Sequence, residues 1–237
     1  MGDNKTLICV FPFIPLRAEP NDRSEQVSQI LSGELVLKLE ECEGNWIKVS
    51  SLEDNYLGFA DPRHFELQNF DINRQLVYKP TTRNKGQYSH ILPVGSYVHS
   101  NDSLDLGPIP NSLSEAASTF LGTPYHWGGK THHGIDCSGL TQICARLVGI
   151  NLKRDAADQS EQGVEVDWEE RSANDLAFFN SKNGIVTHVG ILVSDDKIIH
   201  ASGEVKIDTL TQRGIIHSKT GDITHKLYSI RRIFPQT

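Results

Sequence analysis

Residues 134–140, with the sequence GIDCSGL, give the clearest structural signal in this chain of 237 residues. Asp136 is a good helix N-cap, and the apolar residues at i, i+3, i+4 and i+7 from Leu140 form one face of a helix. A helix is therefore predicted to begin at Cys137. Unpaired N–H groups and the helix dipole favour negative charge there, so we expect a lowered thiol pKa and a place for an oxyanion. Cys137 is thus a candidate nucleophile rather than a buried structural cysteine.

Two histidines lie in apolar, strand-like segments further along the chain, His188 in THVGILV and His200 in IIHASG. A lone imidazole in such a strand is usually a hydrogen-bonded core residue, because an unpartnered one is costly. A nucleophilic cysteine needs a base and an orienting partner for that base, so two histidines on neighbouring strands, in a domain with a cysteine at a helix start, are candidates for these roles. In an antiparallel hairpin, the two imidazole rings lie on the same face only if the residue numbers of two cross-strand partners add up to an even number. We therefore predict a three-residue loop at residues 195–197, or a β-bulge.

The chain changes character near residue 105. Before it, short β-rich runs alternate with turn clusters, which is typical of a small barrel. Residues 28–36 are echoed by residues 89–98, although two unrelated β-hairpins would also explain the likeness. After a Gly/Pro linker, a capping box at Ser112 and Glu115 opens a helix, and the later strands follow the helices. This order indicates an α+β domain.

We accordingly predict three parts: a barrel at residues 1–68, a truncated second unit or β-linker at residues 69–105, and the α+β domain at residues 106–237. The formal charge of −7 argues against a nucleic acid or an anionic membrane as partner. No run of eighteen apolar residues predicts a transmembrane helix. Four isolated cysteines suit a reducing compartment, and no convincing secretory signal is seen, so a cytoplasmic location is expected. A processed secreted chain would have the same features.

Six segments of the C-terminal half occur in a characteristic order. They are Tyr125-x-Trp127-Gly128-Gly129, Asp136-Cys137-Ser138-Gly139-Leu140, Asp158-Gln159, Asp175-Leu176-x-Phe178-Phe179, His188-Val189-Gly190 and Ile199-His200-Ala201. Together they resemble the NlpC-type cysteine peptidases of bacterial cell-wall metabolism, which have a papain-like fold. The resemblance implies a catalytic set of nucleophile Cys137, general base His188 and orienting residue His200. It also implies that Tyr125 lies beside the oxyanion site and that no cofactor or metal is needed.

The N-terminal region resembles bacterial SH3-like domains, through residues 16–18, a Leu-x-x-Gly segment, and residues 46–49 and 56–59. The expected fold class is therefore an α+β papain-like catalytic domain preceded by an all-β SH3-like barrel region. In the subgroup that combines both domains, the Asp and Ser that flank the nucleophile bind the free amino group of the substrate. These two residues are Asp136 and Ser138 in this chain.

From the SH3-like region, Tyr56 and Glu53 are candidates for the same amine site, with exposed turn residues as the equally simple alternative. The resemblance implies cleavage of the γ-D-glutamyl–L-diamino acid bond in peptidoglycan-derived peptides, L-Ala-γ-D-Glu-diamino acid, during cell-wall peptide recycling. An acyltransferase or amidase on the same fold remains an alternative, and so does a cell-wall-binding module. A zinc site made of Cys137, His188 and His200 ranks behind catalysis, because only three ligands are evident.

Overall fold

The structure is a computed structural model that describes residues 5–68, 73–181, 183–217 and 220–233. The chain divides into two compact units, Met1–Ile109 and Pro110–Thr237. The boundary predicted between residues 68 and 69 adjoins residues 69–72, which lie outside the described part, and the three-part division stays a prediction. Within the described ranges, no helix combines the length and the apolar character needed to cross a membrane.

The first unit is built from β-strands. Seven of them form one sheet in the order β3-β2-β6-β5-β4-β1-β7. They are β1 Thr6–Cys9, β2 Phe13–Arg17, β3 Gln26–Leu31, β4 Leu35–Cys42, β5 Trp46–Ser51, β6 Leu57–Ala60 and β7 Phe65–Leu67. Burial alternates along β2 and β5, so one face of each strand faces the core that contains Ile14, Leu16, Ile47 and Val49.

Four further strands complete this unit: β8 Arg74–Leu76, β9 Thr81–Lys85, β10 Tyr88–Leu92 and β11 Tyr97–His99. β8 pairs with β11 and β9 with β10, around a small apolar cluster of their own. The sequence echo extends to turn geometry, because Gly33 and Gly95 have left-handed φ angles of 75° and 85°. In both turns the next residue donates its N–H to a carbonyl three residues back, from Glu34 and Ser96 respectively.

The described residues of the second unit form three α-helices followed mainly by strands. The helices are α1 Leu113–Ser118, α2 Cys137–Leu147 and α3 Ala156–Gln159. The strands are β12 Lys130–Thr131, β13 Gly134–Ile135, β14 Val164–Glu165, β15 Leu176–Asn180, β16 Val186–Ser194, β17 Lys197–Ser202, β18 Glu204–Thr211, β19 Gly214–Ile216 and β20 Ile223–Arg232. The predicted N-cap at Ser112 is confirmed, since its side chain accepts the N–H of Glu115.

Six strands of the second unit close into a barrel. The sheet runs β14-β20-β15-β16-β17-β18-β19, and β19 also pairs with β20, which closes the barrel and leaves β14 at the edge. Its interior holds an apolar cluster that includes Phe179, Leu192, Ile198 and Leu210. All eleven residues of α2 are buried, so the predicted one-sided stripe is in fact a fully buried helix. α2 packs against β16 and β17, which brings the start of the helix to the strands that carry the two histidines.

The hairpin between β16 and β17 tests the predicted register. Its turn has two residues, and Ser194 pairs with Lys197, so the three-residue loop is wrong. A bulge between Leu192 and Ser194 then shifts the register, and Gly190 pairs with His200. Beyond the bulge, the residue numbers of the cross-strand partners add up to an even number, which confirms the alternative prediction of a bulge. His188 and His200 therefore face the same side of the sheet, toward the barrel interior.

Candidate active site

Cys137 is the first residue of α2 and is 6% exposed. Asp136 caps this helix by accepting the N–H of Gly139 at 2.6 Å, as its position predicted. Gln159 of α3 fixes the same turn from outside the helix, because its Nε2 donates to the Ser138 carbonyl at 3.0 Å. The backbone N–H of Val189 on β16 donates to the Cys137 sulfur. The thiol therefore lies against the residue that follows His188.

The pKa of the Cys137 thiol is raised to about 11. Burial is the largest cause, and the negative charge of Asp136 adds to it. The N–H groups of Val189 and Ser138 and the charge of Arg154 oppose the shift without cancelling it. The prediction of a lowered thiol pKa is therefore wrong, because desolvation outweighs the helix start. A raised thiol pKa means that a base is needed to form the thiolate.

The two histidines form one hydrogen-bonded pair. Nε2 of His188 lies 2.8 Å from Nδ1 of His200, and both side chains are buried. Gly190 makes the pairing sterically feasible, since a Cβ at that position would lie 2.9 Å from the Cβ of His200. His188 uses Nε2 for this contact, so Nδ1 is the ring nitrogen left for the thiol.

Sequence reasoning missed three polar residues that surround this pair. Asp208 on β18 accepts a hydrogen bond from Nε2 of His200 at 3.1 Å, and the ammonium of Lys206 is also 3.1 Å from the same carboxylate oxygen. The ring of His225 on β20 stacks on His188, with centroids 4.1 Å apart and planes at 27°. Alternation of polar and apolar residues over residues 204–208 was the available strand signal for β18.

Burial keeps both paired histidines neutral. Desolvation is the main cause that lowers the pKa of His200 to about 4, although hydrogen bonding to Asp208 and its charge act in the opposite direction. The pKa of His188 is well below its ordinary value for the same main reason, with further contributions from His225, His200 and Lys206. Burial alone would raise the pKa of Asp208, but its hydrogen bonds to His200 and Lys206 outweigh burial and the net shift is downward. The hydrogen-bonded series therefore consists of the Asp208 carboxylate followed by the neutral imidazoles of His200 and His188.

The carboxylate of Asp136 is already saturated. Besides Gly139, it accepts the N–H of Gly128 at 2.8 Å and two N–H groups of Arg154, at 3.0 Å and 2.5 Å. Arg154 and Asp136 are both almost fully buried, and a carboxylate offers about four acceptor positions. These contacts hold the Asp136 side chain in place at the helix start, and its implied contact with a substrate amine stays a prediction.

Ser138 is part of the same network. Its hydroxyl accepts a hydrogen bond from Arg154 at 2.9 Å and lies 3.4 Å from Asp136, and the residue is 6% exposed. The hydroxyl thus helps to fix the helix start, and its predicted contact with a substrate amine stays a prediction. Arg154 was not singled out from the sequence, since an arginine before a short helix is ordinarily a surface residue.

The other candidate residues fall in two places. Tyr125 is partly buried, and its pKa is raised to about 12 by burial and by the nearby charges of Cys137 and Asp136. It therefore stays a neutral hydrogen-bond donor close to the thiol, which fits the predicted oxyanion position. Glu53 belongs to the first unit, where its carboxylate accepts hydrogen bonds from Arg74 at 3.2 Å and from the Tyr97 hydroxyl at 3.1 Å.

Tyr56 packs against the core of the first unit, and its N–H donates to Asp54. The substrate roles of Tyr56 and Glu53 stay predictions. The most informative residues are therefore those of the second unit: the thiol at the start of α2 and the pair of imidazoles on β16 and β17.

Comparison with known proteins places this site in a family. A model of the NlpC/P60 family matches residues 122–223, and a model of the bacterial dipeptidyl-peptidase Sh3 domain matches residues 16–64. The chain is 35% identical to the gamma-D-glutamyl-L-lysine dipeptidyl-peptidase of Bacillus cereus (strain ATCC 10987 / NRS 248), over 54% of this chain and 39% of that protein. The match thus spans less than half the length of this curated relative.

Two further likenesses extend the comparison. The chain is 32% identical to the "Probable endopeptidase NlpC" of Escherichia coli (strain K12), over 47% of this chain and 68% of that protein. A crystal structure of an NlpC/P60 family protein from Bacillus cereus ATCC 10987 has a TM-score of 0.79 at 22% identity, covering 97% of this chain and 100% of that one, which shows a shared fold. The predicted fold class is confirmed. With the cysteine and both histidines inside the matched segment, the chain belongs to the NlpC/P60 family.

Proposed function

We propose that this chain is a cysteine endopeptidase that cleaves the γ-D-glutamyl–L-diamino acid bond of peptidoglycan stem peptides whose N-terminal L-alanine is free. The main support is the position of the Cys137 thiol beside the N–H of Val189, one residue from the base His188. The hydrogen-bonded partner of His188, His200, supports the assignment of an orienting residue. The names of the relatives, an endopeptidase and a dipeptidyl-peptidase, support the reaction class.

In the proposed reaction, Nδ1 of His188 accepts the thiol proton as the sulfur of Cys137 attacks the γ-carbonyl carbon. The oxyanion of the tetrahedral intermediate accepts hydrogen bonds from the N–H of Cys137 and from the Tyr125 hydroxyl. His188 then returns the proton to the leaving amine, the C–N bond breaks, and a thioester remains. Water, deprotonated by His188, hydrolyses this thioester and regenerates the thiol. A base is needed at the first step because burial raises the thiol pKa.

The free N-terminus belongs to the proposal because two of the likenesses carry the name dipeptidyl-peptidase, and such an enzyme acts next to a chain end. Asp136 stays the proposed contact of this amine, which would share the carboxylate with Arg154. A free L-alanine amine is found on peptides already released from the glycan. We therefore propose a role in the recycling of released wall peptides in the cytoplasm.

The proposal can be tested by mass-spectrometric digestion of L-Ala-γ-D-Glu-meso-diaminopimelate, its L-lysine counterpart and the N-acetylated form of each. Cys137→Ala serves as the inactive variant. Cys144→Ala is the matched control, because Cys144 is a buried cysteine on the same helix. We expect the wild type and Cys144→Ala to release L-Ala-D-Glu from the free-amine peptides, and Cys137→Ala to release none.

Each other outcome has a defined meaning. Equal cleavage of free and acetylated peptides would keep the peptidase and remove the requirement for a free amine. Transfer of the acyl group to an added amine without hydrolysis would favour the acyltransferase alternative. If no peptide is cut but wild type and Cys137→Ala bind wall fragments equally well, the proposed reaction is wrong and a binding module is favoured.

A further inference from the structure

A line of polar side chains crosses one end of the barrel interior in the second unit. Strand pairing places them together, because Lys206 lies opposite His200 and Asp208 lies opposite Ile198, both on the interior face. The contacts then run from Asp208 to His200 at 3.1 Å and from His200 to His188 at 2.8 Å. Asp208 itself is 5% exposed, so its charge is held by protein groups rather than by water.

The direction of these hydrogen bonds follows from the chemistry of the last member. An ionised carboxylate can only accept, so Nε2 of His200 must carry the hydrogen that it donates to Asp208. In a neutral imidazole the other nitrogen is then an acceptor, and Nδ1 of His200 can only receive a hydrogen from Nε2 of His188. Nδ1 of His188 is consequently left with a lone pair.

We propose that Asp208 is a positioning residue that acts through His200 to keep Nδ1 of His188 unprotonated and ready to accept the thiol proton of Cys137. The catalytic consequence of this inference rests on the proposed function. The assignment of the tautomers does not depend on that function. Lys206 supports the arrangement, since its ammonium is 3.1 Å from Asp208 and favours the ionised carboxylate. Without that carboxylate, both tautomers of His200 would satisfy the contact with His188.

The first test measures the tautomers directly by two-bond ¹⁵N–¹H spectra of ¹⁵N-histidine-labelled protein, with signals assigned by His188→Gln and His200→Gln. In the wild type we expect both imidazoles to carry hydrogen on Nε2 alone. In Asp208→Asn the amide can accept or donate, so we expect a mixture of tautomers at both rings. Asp195→Asn, in the exposed turn of the β16–β17 hairpin, is the control and should leave both tautomers unchanged.

The second test is kinetic. For Asp208→Asn we expect kcat to fall about tenfold to a hundredfold with KM within about twofold, because base catalysis contributes about 10²–10⁴-fold and only part of it depends on the tautomer. The acid limb of kcat/KM should move to lower pH, since removal of a negative charge makes protonation of the imidazoles less favourable. The charged and titratable groups that face the pair are Asp208 and Lys206 on β18, His225 on β20 and Cys137 on α2.

These two readouts separate the inference from the proposed function. A wild type that cuts no peptide but shows both Nε2–H tautomers contradicts the function and keeps the assignment of Asp208. A wild type with hydrogen on Nδ1 of His188 overturns the inference even if the enzyme is active. The same holds if Asp208→Asn retains the wild-type tautomers and acid limb. A loss of kcat with an unmoved acid limb and unmixed tautomers means that Asp208 only supports packing, which also overturns it.

Discussion

Replacement of Arg154 by methionine should strongly destabilise the second unit. Arg154 is 2% exposed and donates two hydrogen bonds to Asp136, at 3.0 Å and 2.5 Å, and one to Ser138 at 2.9 Å. Hydrogen bonds to a charged group contribute about 1.5–3 kcal/mol each, and removal of one partner of a buried ion pair costs about 3–5 kcal/mol because the other charge stays buried. We expect the free energy of unfolding to fall by about 3–5 kcal/mol.

The assay is urea unfolding followed by tryptophan fluorescence in a Trp46→Phe background, because the remaining residues Trp127 and Trp168 both lie in the second unit. The control is Glu165→Gln, which removes the exposed partner of Arg231 at 3.6 Å and should cost less than about 1 kcal/mol. A double variant that also neutralises Asp136 should lose less free energy of unfolding than the sum of the losses of the two single variants. A loss below about 1 kcal/mol, or strict additivity, would refute the reasoning.

Three further results are expected from the same site. Gly190→Ala should lower the free energy of unfolding by about 1–3 kcal/mol and also lower kcat, because the added Cβ would lie 2.9 Å from the Cβ of His200. Thermal unfolding measures the first effect and the peptide assay the second. Wild-type values in both assays would contradict the predicted steric clash. Since the pKa of His200 is about 4 in the folded protein and 6.5 ordinarily, the unfolded chain binds the extra proton between these values. The contribution of His200 to stability should therefore be complete above about pH 6.5 and fall by about 3 kcal/mol toward pH 4. His200→Gln should reduce the slope of stability against pH, and an unchanged slope in this variant would contradict the argument. Finally, the raised pKa of Cys137 predicts that the rate of its alkylation by iodoacetamide increases about tenfold per pH unit between about pH 7 and 9. Cys137→Ala is the control for alkylation at other cysteines. A pH-independent rate would indicate a preformed thiolate and contradict the prediction.

The sequence predicted those parts of the site that depend on local rules. The start of α2 at Cys137 follows from an N-cap and an apolar period, and both are properties of neighbouring residues. The shared face of His188 and His200 followed from the period-two geometry of a hairpin, which allowed a bulge to be predicted but left its position open.

The parts that depend on distant residues were not predictable in the same way. The partner of Asp136 is Arg154, 18 positions along the chain, and only the packing of α3 beside α2 brings the two together. Likewise, the rise in the thiol pKa of Cys137 comes from burial under the barrel strands, which no local pattern reveals. Asp208 and Lys206 lie on the inward face of their strand, opposite to the usual assumption for alternating patterns.

The bulge between Leu192 and Ser194 has a consequence for how this hairpin can change length. Side chains alternate with a period of two, so loss of one residue there would turn His200 to the outer face, whereas loss of two would restore its orientation. The hairpin is thus sensitive to the parity of insertions and deletions, much as a coding sequence is to its reading frame. Length variation in related hairpins of this architecture should therefore occur in steps of two residues.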